Sequence, residues 1–166
     1  MNAAHLHLMV NHLPLFAVLF AGGFLAFGLW RKQNVLINAG LVLAVVAGLG
    51  AFTAARTGEA AEEVVEGLAL VSEQTIESHE EAAELAMVSA IVLGALALVA
   101  LAVPTRLAAV KRATTYGALA LSLVTFGLVA QTANLGGMIR HPEINDASAT
   151  LPYGEVGEDE SEGIEH

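Results

Sequence analysis

The chain has 166 residues, enough for one domain, but its 55% hydrophobic and 14% charged composition excludes an ordinary soluble protein. It contains no Cys, which excludes disulfides, thiolate metal sites, iron–sulfur clusters and covalently attached c-type haem. The net charge of −10 argues against a nucleic-acid partner and suits a basic protein or a cation.

The first two predicted elements are membrane-spanning helices, because each is an apolar block close to the length of about 20 residues that crosses a bilayer. The first runs over about 13–30 and is followed by the basic stop Arg31 and Lys32. The second runs over about 35–55 and ends at Arg56. The backbone of each block must be helical in lipid to satisfy its own hydrogen bonds.

An amphipathic segment follows over residues 59–71. Its apolar residues recur at helical spacing, with glutamates largely on the opposite side. This pattern predicts a short helix that lies on the membrane surface or caps the bundle.

The third and fourth spans are predicted over about 85–103 and 114–134. Ser78 followed by Glu81 is a capping-box pair, which predicts that the third helix starts near His79. Pro104 ends the third span. The fold class is therefore all-α: an up-down bundle of four transmembrane helices over residues 1–141, followed by an acidic, disordered tail over 142–166.

The basic residues predict the orientation. Five of the seven Lys and Arg lie in the two loops 31–34 and 104–113. The positive-inside rule places these loops in the cytoplasm. Both termini, all seventeen Asp and Glu and all six His then lie on the extracytoplasmic side.

The candidate functional residues are histidines at that outer end of the bundle. His7 and His12 lead into the first span, His79 begins the third, and His141 follows the fourth. Cofactors in helical bundles are held by side chains from facing helices. We expect His12 and His79 to be ligands, with His7 and His141 as further candidates, whereas His5 and His166 are expected to be exposed.

Imidazole binds haem iron, copper, zinc and non-haem iron, so histidine alone does not choose the metal. The chain has neither the Glu-x-x-His motif of di-iron bundles nor His-Glu-x-x-His. Haem needs only two opposed histidines, an apolar slot and small residues near its plane, which Gly136 and Gly137 would supply. These features favour one or two non-covalent b-type haems whose iron is ligated on both faces.

Four short motifs resemble a widespread family of small four-helix bacterial membrane proteins. The family's first helix opens with His-Pro-x-x-Val-His-Phe-Pro, and here His7, His12 and Pro14 match while Leu8, Asn11 and Leu13 depart from it. Further matches are Thr-Gly-x-x-Ala at 57–61, a His at the start of the third helix, and Gly-Gly followed by His at 136–141. The resemblance covers roughly residues 7–141. It implies a haem-binding role for its histidines and a location in a bacterial inner (plasma) membrane.

The sequence thus favours a membrane cytochrome b that transfers electrons rather than an enzyme. Its expected partners are membrane lipid, other subunits of a membrane complex and a basic periplasmic electron carrier. Two alternatives stay open: an accessory subunit without a cofactor, and an outer-face metal site built from His with Glu62, Glu63, Glu80 or Glu84. Transport is disfavoured because no span carries a charged residue between its ends.

Overall fold

The structure, a computed structural model, describes residues 3–65 and 73–140. Five α-helices and one 3₁₀ turn account for nearly all of them: α1 (Ala3–Val10), α2 (His12–Arg31), α3 (Asn34–Val65), α4 (Glu73–Ala102), the turn Thr105–Leu107 and α5 (Ala108–Arg140). Four helical stretches are long and apolar enough to cross a membrane. For the described residues, the prediction of an all-helical fold with four helices long and apolar enough to cross a membrane is confirmed.

The long helices pack in a ring. α2 lies against α3, α3 against α4, α4 against α5, and α5 returns to α2, while α1 lies against α3. The connection from α2 to α3 is very short: Lys32 adopts a left-handed conformation with φ of 55°, and the Gln33 N–H donates to the Gly28 carbonyl over 2.8 Å. Such a tight connection makes α2 and α3 antiparallel neighbours.

The core consists of rows of residues that recur alternately every three and every four positions, as in helices packed knobs-into-holes. Each long helix contributes one row, and most members are small, so that the helix backbones approach closely. Buried members are Pro14, Val18, Ala21, Leu25 and Gly28 in α2; Gly40, Ala44, Ala47 and Ala51 in α3; Ala86, Ala90, Leu93, Ala97 and Ala100 in α4; and Thr115, Ala118, Ser122, Thr125 and Val129 in α5.

Continuing these rows past the buried core leads to the same end of the bundle. The α2 row continues backwards through Asn11 to His7, and the α4 row continues backwards to His79. The α3 row continues forwards to Gly58 and the α5 row to Gly136. We call the end of the bundle that holds these four residues the histidine end, and the opposite end, at the two short connections, the basic end.

The structure corrects the predicted start of the third helix. α4 is already helical at Glu73, so Ser78 lies inside the helix rather than capping it. Its hydroxyl donates to the Gln74 carbonyl four residues earlier, over 2.9 Å. The capping-box prediction is wrong because a serine inside a helix can donate its hydroxyl proton to a backbone carbonyl of the preceding turn. Ser78 therefore does not require a helix start.

The structure also corrects the separate amphipathic helix predicted over 59–71. Residues 59–65 are the last turns of α3, which continues without a break from Asn34 to Val65. No residue around Arg56 breaks the helix, and Arg56 forms an ion pair with Glu59 over 2.8 Å along it. The remainder of the predicted helix and the acidic tail over 142–166 lie outside the described residues.

Candidate functional site: two clamped histidines

His7 is held by the last turns of α3. Its Nδ1 atom lies 3.0 Å from the Ala54 carbonyl oxygen and 3.2 Å from the Thr57 hydroxyl oxygen. A carbonyl oxygen can only accept a hydrogen bond, so the ring carries its proton on Nδ1 and donates it to α3. The contact fixes both the tautomer and the orientation of the imidazole.

His79 is held by α5 in the same way. Its Nδ1 atom lies 3.0 Å from the Thr132 carbonyl oxygen, which again places the proton on Nδ1. The Thr132 hydroxyl donates to the Leu128 carbonyl over 3.0 Å and is thus engaged within its own helix. The two histidines therefore come from different halves of the chain but make equivalent bonds.

A glycine lies beside each ring, four residues after the accepting carbonyl. A Cβ added at Gly58 would lie 3.2 Å from Cε1 of His7, and a Cβ added at Gly136 would lie 3.0 Å from Cε1 of His79. Any side chain at either position would press on the imidazole. We call each set of imidazole, carbonyl and glycine a histidine clamp: His7 with Ala54 and Gly58, and His79 with Thr132 and Gly136.

The two clamps leave the same atom available on each ring. With Nδ1 protonated and bonded, Nε2 carries a lone pair, and neither Nε2 hydrogen-bonds to the part of the chain that the structure describes. An imidazole that donates Nδ1–H to a backbone carbonyl and presents Nε2 is the usual state of a metal-bound histidine. Both side chains are partly buried, and both lie at the histidine end of the bundle.

The Asn11 carboxamide is a third unusual group near this end. The Asn11 N–H donates to the His7 carbonyl over 2.9 Å, which places Asn11 one helical turn deeper along the same face. Its Oδ1 atom is buried and accepts no hydrogen bond from the described residues. A buried acceptor without a donor is costly, so this oxygen is available to a ligand or an ordered water.

The other residues predicted for the site are placed differently. His12 begins α2 on the exposed surface of the bundle, and His5 is exposed on α1. The ring of His79 occupies the space beside Gly136, whereas no atom of the described residues lies within 4 Å of a Cβ added at Gly137. His141 and His166 lie outside the described residues. Of the predicted histidines within the described chain, the structure brings His7 and His79 together and leaves His12 apart.

The acidic residues of the histidine end whose side chains the structure describes lie on its surface. The described glutamates of this region are all exposed: Glu59, Glu77, Glu80, Glu81 and Glu84. Among the residues that the structure describes, no group of three or more His, Asp or Glu side chains is placed to hold a metal ion. The side chains of Glu62 and Glu63 are not among the described ones. Glu80 and Glu84 are exposed charges on this surface.

Four groups of the two clamps were not predicted from the sequence: the Ala54 and Thr132 carbonyls, the Thr57 hydroxyl and Gly58. One signal was present: His7 and His79 lie on the three-and-four spacing of their helices' core rows, and His12 does not. The carbonyl partners carry no sequence signal, because any residue type offers the same backbone oxygen.

Comparisons with known proteins add no identification. No protein-family profile, curated protein or solved structure matches the chain.

Proposed function

We propose that the protein is a membrane cytochrome b in which His7 and His79 ligate the iron of one non-covalent haem at the histidine end. The observation that carries the proposal is the pair of clamps: two imidazoles from different halves of the bundle, each donating Nδ1–H to a backbone carbonyl. Neither Nε2 hydrogen-bonds to a residue that the structure describes. The haem iron, when bound, would carry one electron at a time between its ferric and ferrous states.

The donor set fits haem better than a bare ion. Haem iron has four porphyrin nitrogens of its own and needs only two further ligands, one on each face. A structural zinc ion needs four protein ligands, and within the described chain the site offers two imidazoles and no third ionisable group. Neutral imidazole is also the form that haem iron binds, and the partial burial of both rings disfavours the charged form. The carbonyl bonds fix the Nδ1–H tautomer, which presents Nε2.

The residues around the two imidazoles would hold the iron ligands in place rather than react themselves. Gly58 and Gly136 let the two rings lie against α3 and α5, and the carbonyls of Ala54 and Thr132 fix their rotation. Ligands on both faces leave the iron without an open position, which favours electron transfer over binding or activation of oxygen. Two matched histidines support one haem rather than two.

We further infer that the histidine end faces the outside of a bacterial plasma membrane, with both termini on that side. The argument is the distribution of basic residues, since five of the seven cluster at the basic end: Arg31, Lys32, Arg106, Lys111 and Arg112. The site would then lie within reach of an extracytoplasmic electron donor or acceptor.

The charge around the histidine end favours a basic partner. Its exposed glutamates would attract a basic periplasmic electron carrier and speed its association in a salt-dependent way. Membership of a larger membrane complex is compatible with the same site.

Haem content of four purified proteins tests the ligand assignment. The wild type, H7A, H79A and H12A are expressed in bacteria supplied with haem, purified in detergent and quantified by pyridine haemochrome. We expect one haem per wild-type chain, loss of haem in H7A and H79A because each removes one iron ligand, and retention in H12A because that side chain is exposed.

Circular dichroism and size exclusion would show that the variants remain folded. Wild-type haem content in both H7A and H79A would overturn the pairing. Folded wild type without haem but with bound copper, zinc or iron would replace the proposal with a metal site, and folded wild type without either would replace it with a cofactor-free accessory subunit.

A further inference from the structure

The two histidine clamps differ in one respect. The Nδ1–H of His79 has one acceptor, the Thr132 carbonyl at 3.0 Å. The Nδ1–H of His7 has two, because the Thr57 hydroxyl oxygen lies 3.2 Å away in addition to the Ala54 carbonyl at 3.0 Å. The difference lies in the second acceptor.

The direction of the Thr57 hydroxyl proton determines the role of this oxygen. Thr57 Oγ1 lies 3.0 Å from the Thr53 carbonyl and 3.0 Å from the Ala54 carbonyl, and neither oxygen can donate. The single hydroxyl proton therefore points back to its own helix. The lone pairs of Thr57 are left to accept from His7, so that the His7 N–H is shared between two oxygens.

The corresponding position in the other clamp has no polar atom. Thr57 stands directly before Gly58 and three residues after Ala54. Leu135 stands directly before Gly136 and three residues after Thr132. The second acceptor is therefore present or absent because of one side chain, which is threonine in the His7 clamp and leucine at the matching position of the His79 clamp.

We propose that Thr57 is a positioning residue that makes His7 the stronger electron donor of the two iron ligands. The inference rests on the proposed function. Acceptors on Nδ1–H increase the basicity of Nε2, and a more basic ligand stabilises ferric over ferrous iron. Thr57 then lowers the reduction potential of the haem without touching it and holds His7 in the Nδ1–H tautomer.

Three variants test this through the midpoint potential of the haem, measured by spectroelectrochemical titration. T57V keeps the shape of the side chain but removes the acceptor, and T57S keeps the hydroxyl. L135T places a hydroxyl at the matching position beside His79. We expect a higher potential in T57V, the wild-type potential in T57S, and a lower potential in L135T. Unchanged potentials in both T57V and L135T would overturn the proposal, as would a T57S variant that behaves like T57V.

A second readout needs no haem and separates failure of this inference from failure of the proposed function. ¹⁵N chemical shifts of the His7 ring in detergent-solubilised, haem-free protein report which nitrogen carries the proton. We expect a larger Nε2–H population in T57V than in wild type or T57S, and no change at His79. An identical His7 tautomer in T57V would contradict the role of Thr57 even if haem binding is confirmed. A shifted tautomer would support it even if the chain binds no haem.

Discussion

α3 and α5 each hold one histidine clamp, but the two helices pack against their neighbours with different residue types. The core row of α3 is made of Gly and Ala, and the backbone of α3 nearly touches its neighbours. A Cβ added at Gly48, next to Ala47 of that row, would lie 2.9 Å from the Ala90 carbonyl oxygen of α4. The core row of α5 carries hydroxyls instead, and Ser89 of α4 meets Thr125 of α5 over 2.8 Å. Apolar helices in lipid gain no hydrophobic energy from association, so close packing and interhelical hydrogen bonds are the two available routes.

The comparison shows that the clamp depends on geometry rather than on the composition of the supporting helix. Ala54 and Thr132 have different side chains, yet each supplies the same backbone carbonyl at the same distance. What the two helices share is a glycine one turn later, on the side that faces the imidazole.

The largest expected effect comes from filling the clamps. G58A and G136A each place a methyl group 3.0–3.2 Å from an imidazole carbon, closer than an ordinary van der Waals contact, and should displace the ring from its carbonyl. We expect at least a tenfold loss of haem affinity in each, about 1.4 kcal/mol, measured by haem titration. G137A is the matched control, because nothing lies within 4 Å of its added methyl group. Equal haem affinity in G136A and G137A would show that the His79 clamp does not depend on the absence of a side chain at Gly136.

An intermediate effect is expected at the crossing of α3 and α4. G48A forces a methyl group against the backbone oxygen of Ala90, and overpacking of this kind costs about 1–3 kcal/mol. G23A on α2 meets nothing within 4 Å and gains up to about 1 kcal/mol from helix propensity. Unfolding in mixed detergent should therefore show opposite signs for the two variants. A G48A variant as stable as G23A would show that α3 does not rely on close approach.

The smallest effect is expected at the hydroxyl pair. The Thr125 hydroxyl donates to the Leu121 carbonyl over 2.8 Å, so Ser89 is the donor between the helices. S89A should cost about 0.6 kcal/mol, the average for interhelical hydrogen bonds within a membrane. S78A on the same helix removes an exposed hydroxyl bonded only within α4 and should leave the free energy of unfolding unchanged. If S89A and S78A unfold at the same detergent fraction, the bond adds nothing to the association of α4 with α5.

Much of the fold follows from the sequence for a physical reason. Apolar blocks long enough to cross a bilayer must be helical there, which predicted the four spans and the end of the bundle at which the histidines gather. Helix boundaries outside the blocks were less predictable. Ser78 satisfies a cap and a helix interior equally well, and residues 59–65 are as helical in the continuation of α3 as in a separate surface helix.

The sequence predicts which residue type forms the candidate site, but not the backbone groups that hold it. Histidines on facing helices were expected, and the core-row spacing separates His7 from His12, which lies on another face of the first span. The clamps themselves depend on which carbonyl of one helix lies opposite a side chain of another. That offset is set by the packing of whole helices, and no local sequence pattern records it.

The visible spectrum of the purified wild-type protein shows whether two clamped imidazoles hold one haem. The measurement is dithionite-reduced minus air-oxidised absorbance, with haem quantified per chain. We expect a sharp reduced α band of b type at one haem per chain. A featureless spectrum from folded protein, expressed with ample haem, would contradict it.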